Sequence, residues 1–126
     1  MQQIISISQI HQGLARIFLA GLLLQLYLAG APMFGAASFE PHRMLGSALT
    51  ILAILFPVLA LVGRLGRQRI GLSMLLVFLI IVQAMLPSLR GSASGIAALH
   101  SVNALALMGV SARIGRKGRA EVLQVN

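Results

Sequence analysis

Two histidines, His42 and His100, are the residues best suited to chemistry, and each follows a glutamine, Gln25 or Gln83, by 17 positions. Neutral imidazole is a ligand for haem iron and other metals, and facing helices of a bundle are where cofactor sites are built. Around the pair the sequence gathers Glu40, Arg43, Arg90 and Asn103 near the ends of apolar runs, where polar groups are costly and therefore mark function. Arg43 and Arg90 suit anionic groups such as haem propionates. Glu40 can orient an imidazole N–H or accept from Arg43. Four residues beyond each histidine stand Gly46 and Ala104, on the same helical face, where a small side chain leaves room for a flat macrocycle. Met33 or Met44 can substitute for one histidine as an axial ligand. Each group also has a plainer use. His42 can sit in interfacial water, His100 can bond Asn103 or a backbone carbonyl, Gln25 and Gln83 can bond across helices, Tyr27 can join an interface belt, and Arg43 and Arg90 can snorkel.

The elements that carry these residues follow from composition. Of 126 residues 58% are hydrophobic and 10% charged, too apolar for a water-soluble domain of this length. Four runs have the length a bilayer-crossing helix needs: residues 17–34, 44–62, 71–89 and 96–112. Stretches such as LTILAILFPVLALV are apolar on every face, unlike the alternation of a barrel strand. The expectation is an all-α integral membrane four-helix up-down-up-down bundle, one transmembrane domain over 1–126, because connections this short leave no room for crossovers. Diagonal partners are then first with third and second with fourth. Ile7, Ile10 and Leu14 suggest an interfacial turn before the first span, and Pro57 is expected to kink the second. The N-terminus lacks the basic and small-residue features of a cleaved signal.

Ten Lys+Arg stand against two Asp+Glu, and there is no cysteine. That removes disulfides, thiolate chemistry and iron–sulfur clusters. No Ser/His/acid set supports a hydrolase. The basic residues lie at segment ends rather than along a stripe, so nucleic acid is not an expected partner. Arg64, Arg67, Arg69, Arg113, Arg116, Lys117 and Arg119, with Arg16, fall on one side, leaving Arg43 and Arg90 for the other. The positive-inside rule then puts both termini in the cytoplasm, with the arginine cluster fixing topology and meeting anionic lipid. His11 belongs to that cytoplasmic side, away from the other histidines.

An offset of 58 aligns Gly13 with Gly71, Leu14 with Leu72, Gln25 with Gln83, Leu28 with Leu86, His42 with His100 and Leu49 with Leu107. This reads as two tandem hairpins related by an axis along the membrane normal, which brings the histidines to similar depth on diagonal helices. His100 is roughly a turn, about 6 Å, further inside its span than His42, a mismatch that helix tilt or an earlier helix start removes.

The stretches Phe39-Glu40-Pro41-His42-Arg43-Met44-Leu45-Gly46 and Ala98-Leu99-His100-Ser101-Val102-Asn103-Ala104-Leu105 resemble small bacterial four-span membrane proteins known only as a domain of unknown function. Glu40-Pro41-His42-Arg43 also looks like the Glu-x-x-His-Arg element of haem A synthase, whose halves are four-helix bundles holding haem between histidines of the second and fourth helices. That resemblance implies His42 and His100 as a ligand pair. The acid lies two residues before the histidine rather than three, there is one bundle, and there is no Cys pair, so what it implies is a b-type haem binder or electron-transfer module. The leading expectation is a haem b protein of a bacterial inner membrane. Its cofactor-binding residues are His42, His100, Arg43, Arg90, Gly46 and Ala104, with His42 and His100 as metal ligands, and no catalytic residue is assigned. A quinone or partner protein would exchange its electrons. The alternative is an accessory subunit of a larger respiratory or photosynthetic membrane complex, in which the same histidines could hold a chlorophyll-type pigment. A small carrier or channel ranks lower, since the span interiors offer little beyond Gln25, Gln83, Thr50 and a few serines to line a route.

Overall fold

The computed structural model describes residues 5–116, which are helical with short connections and no strand among them. Ser6 opens the first helix. Its hydroxyl accepts from the Gln9 amide N–H while the Gln9 side chain accepts from the Ser6 N–H, a reciprocal capping box. From it α1 runs over Ile7–Gly30 and continues as a 3-10 turn, Ala31–Phe34. That turn ends at Gly35, whose φ of +71° lets the Gly35 and Ala36 N–H groups reach back to the carbonyls of Pro32 and Ala31. The second span is α2, Glu40–Ala53, and α3, Leu55–Val62, separated at Ile54. Pro57 accounts for the break, since its ring has no N–H to give the Ala53 carbonyl and crowds it. The third span is α4, Arg67–Met85, with the 3-10 turn Leu86–Gly91. The fourth is α5, Ser94–Ala97, and α6, Leu99–Ile114.

All four spans are long and apolar enough to cross a membrane: Ile7–Phe34, Glu40–Val62, Arg67–Gly91 and Ser94–Ile114. Each begins before the apolar run marks it, because polar first turns are helical too. The largest difference is at the first span, where the residues expected as a separate interfacial turn are the opening turns of α1, nucleated by the capping box. The expected tail residues Lys117 and Arg119 lie outside the described residues.

Backbone neighbours are α1 with α2, α3 and α6, and α4 with α2, α3 and α6. The first span is therefore diagonal to the third and the second to the fourth, as the short connections require. Buried positions recur at the offset of 58: Ala15 with Ser73, Phe18 with Leu76, Leu22 with Ile80, Leu49 with Leu107, Ala53 with Ser111, and Phe56 with Ile114 are all buried. The repeat is thus a repeat of packing, not merely of composition. Phe18 and Phe56 meet edge to face with ring centroids 5.4 Å apart, and neither is exposed. In a bilayer the gain from such burial is close packing rather than escape from water. Phe56→Ala is therefore expected to cost about 3 kcal/mol, the lower end for such cavities. Tyr27→Ala, on an exposed face, should change stability by less than about 0.5 kcal/mol. Unfolding by denaturing detergent in mixed micelles measures both.

Candidate functional site

The two histidines come together. His42 is the third residue of α2 and His100 the second of α6, and their ring centroids are 6.2 Å apart with the planes at 63°. The difference in their distance from the span starts is absorbed by the short α5 and the break at Ala98, which precede α6.

Each ring is held in the same way. His42 Nδ1 lies 3.2 Å from the backbone oxygen of Gln25, and His100 Nδ1 lies 3.0 Å from that of Gln83. A carbonyl only accepts, so Nδ1 carries the proton in both rings and Nε2 keeps its lone pair. In the second hairpin the sequence explains why a carbonyl is available. The residue four beyond Gln83 is Pro87, which has no N–H to close the helical bond, and the imidazole takes that place.

Around this shared plan the halves differ. The Gln83 side-chain nitrogen donates to His100 Nε2 at 3.2 Å, and its oxygen accepts from Asn103 Nδ2 at 2.7 Å. Asn103 also donates to the Leu79 carbonyl at 2.8 Å. The counterpart of Asn103 at the offset of 58 is Leu45, and without an amide there the buried Gln25 Oε1 has no partner among the described residues. The Gln25 side-chain nitrogen lies 2.8 Å from where a β-carbon on Gly46 would stand. The room that Gly46 leaves is taken by this amide. Ala104 is half-buried one turn below His100.

The charged residues sit at the rim. Arg43 pairs with Glu40 within the first turn of α2, both exposed, so Glu40 serves the arginine and not an imidazole. Arg90, in the 3-10 turn after α4, is exposed, as are Met33 and Met44. Thr50 bonds the Gly46 carbonyl of its own helix at 2.9 Å, so its hydroxyl is satisfied locally.

Residues 25–90 match the family described as Family of unknown function (DUF6220). The chain belongs to this family. No curated protein and no solved structure matches the chain significantly. The DUF6220 segment contains Gln25, His42, Arg43, Gly46, Gln83 and Arg90, and ends before His100.

A second polar cluster, at the opposite end, escaped the sequence reading. His11 is fully buried against the edge of Phe56, centroid to centroid 5.6 Å. The Ser73 hydroxyl donates to the Arg69 carbonyl at 2.7 Å, so His11 Nε2–H donates to that hydroxyl at 3.0 Å. This leaves buried Nδ1 with no hydrogen-bond partner among the described residues. The signal was available, since a helix starting at Ser6 puts His11, Ala15, Phe18 and Leu22 on one stripe.

The asymmetry between the halves is testable. Asn103→Leu strips Gln83 Oε1 of its donor and should cost about 1 kcal/mol, in the range of interhelical hydrogen bonds in membranes. Leu45→Asn offers Gln25 Oε1 a donor and should be neutral or stabilising. Detergent-denaturation midpoints of the two variants, compared with the parent chain, read the difference.

Proposed function

We propose that this chain is a four-span membrane protein that binds a b-type haem through His42 and His100 and serves in electron transfer. The observation that carries the reading is the imidazole pair, 6.2 Å between ring centroids, each ring with Nδ1–H given to a backbone carbonyl. Such a bond orients a ligating histidine and leaves Nε2 as the ligand atom. His42 and His100 would hold the haem iron through their Nε2 atoms, and their rings are close enough to serve one metal ion together.

The donor set favours a porphyrin over a bare ion. No group of three or more His, Cys, Asp or Glu side chains is placed to hold a metal ion among the described residues, and two imidazoles alone fall short of a tetrahedral site. A porphyrin carries most of the iron's donors itself, so His42 and His100 would suffice to hold it. Entry of the macrocycle requires the Gln25 and Gln83 side chains to turn away from Gly46 and His100. Both are flexible, and their polar ends are what stand in the way. Arg43 and Arg90, exposed at this rim, suit the propionates, Arg43 by exchanging its Glu40 partner. Haem b supplies one-electron chemistry when bound, while the bundle supplies ligands and an apolar surround.

The purified protein should show a Soret band that His42→Ala or His100→Ala abolishes while helicity is retained. A folded, colourless preparation from haem-replete cells overturns the proposal.

The same reading includes an orientation, up-down-up-down with both ends of the chain in the cytoplasm of a bacterial cell. Among the described residues Arg16, Arg64, Arg67, Arg69, Arg113 and Arg116 gather toward one end and Arg43 and Arg90 lie at the other. Because the chain has no cysteine, single introduced thiols report topology directly. Ala36→Cys should react with an impermeant reagent in intact cells, and Gln68→Cys only after permeabilisation.

A further inference from the structure

The arginine-rich end of the bundle holds a cavity of about 530 Å³ between the start of α4 and the end of α6. Gln68, Arg69, Arg113 and Arg116 line it, with Leu72 and Gly109 one turn further along their helices toward the middle of the bundle. Its chemistry is cationic above and apolar below. We propose that this cavity binds the phosphate of an anionic phospholipid headgroup, seated between the third and fourth spans.

Four observations converge on that ligand. Three guanidiniums share one concavity, and guanidinium is the side chain whose fork matches phosphate oxygens. The first turn of α4 has no side-chain cap and no acidic residue, so the positive end of the helix dipole adds to the potential where Gln68 and Arg69 enter the lining. The one acidic side chain among the described residues, Glu40, is at the other end of the bundle, so among the described residues no carboxylate side chain stands beside these arginines. Gly109 leaves the floor open, since a β-carbon built on it meets nothing within 4 Å. Arg69 is already steadied, donating to the Ser8 hydroxyl at 2.9 Å, which orders one arm of the site before a ligand arrives. Arg113 and Arg116 are exposed, so their guanidiniums are open to a phosphate. The cavity lies where two spans end, so in a bilayer crossed by those spans a lipid reaches it with its acyl chains still beside the helices.

The test separates the pocket from general surface charge and the lipid from soluble phosphate. The protein in neutral detergent is incubated with equal amounts of phosphatidylglycerol and phosphatidylcholine of matched chains, and bound lipid is counted by native mass spectrometry. Phosphatidylglycerol should be retained preferentially. Arg113→Gln should reduce its retention about fivefold, the weight of one near-surface arginine. Gly109→Leu, which fills the floor, removes no charge and favours the helix, should reduce it comparably. Arg67→Gln, at the same end but outside the lining, should leave it unchanged. Equal losses in Arg113→Gln and Arg67→Gln, with Gly109→Leu unaffected, would mean diffuse attraction and overturn the site. Displacement of the lipid by inorganic phosphate at equal concentration would overturn the lipid assignment in favour of a soluble phosphate.

Discussion

A polar side chain among apolar helices must find its partner within the bundle, and the placement of the histidines depends on that constraint. His42 and His100 each answer it with the same bond, Nδ1–H to the carbonyl of a glutamine on the preceding span. That bond ties the start of each return helix to the end of its outgoing helix, and it turns two rings from different hairpins toward one another. In the second hairpin Pro87 leaves the Gln83 carbonyl without its helical donor, so a residue that would weaken an isolated helix instead provides the acceptor that anchors the imidazole.

The two hairpins share a packing plan but not a polar plan. Six pairs of buried positions correspond at the offset of 58, and each pair is small with small or large with large, as Ala53 with Ser111 and Phe56 with Ile114. The polar networks diverge at one position. Asn103 completes the amide network of Gln83, while Leu45 leaves Gln25 Oε1 buried and unpartnered. The first imidazole is therefore less encumbered than the second, whose Nε2 already accepts from Gln83. Repeat symmetry builds the site and its local breaking makes the two rings chemically distinct.

Charge is distributed by a different rule. At one end the arginines crowd the helix termini, where Arg16 donates to the Gly115 carbonyl at 3.0 Å and so caps the end of α6 from another span. At the other end Arg43 is tied to Glu40 on the surface, where such a pair contributes little to stability. The guanidiniums thus mark the boundaries of the bundle, while the glutamines, histidines and Asn103 work within it.

Four spans, their diagonal arrangement and the pairing of His42 with His100 were legible in the residue order, because apolar length, short connections and a shared 17-residue spacing are properties of the chain itself. The helix starts were less so, since an apolar run says nothing about polar turns that precede it, and the Ser6 capping box had to be read as a helix signal to bring His11 into the interior. Only the tertiary structure decided what fills the space beside the histidines. Gly46 by spacing alone offers a slot, yet the Gln25 amide, from a residue 21 positions earlier, occupies it. Local pattern determines which face of a helix a residue occupies. What stands opposite that face depends on how far the side chains of another helix reach, and no periodicity along one strand of sequence records that distance.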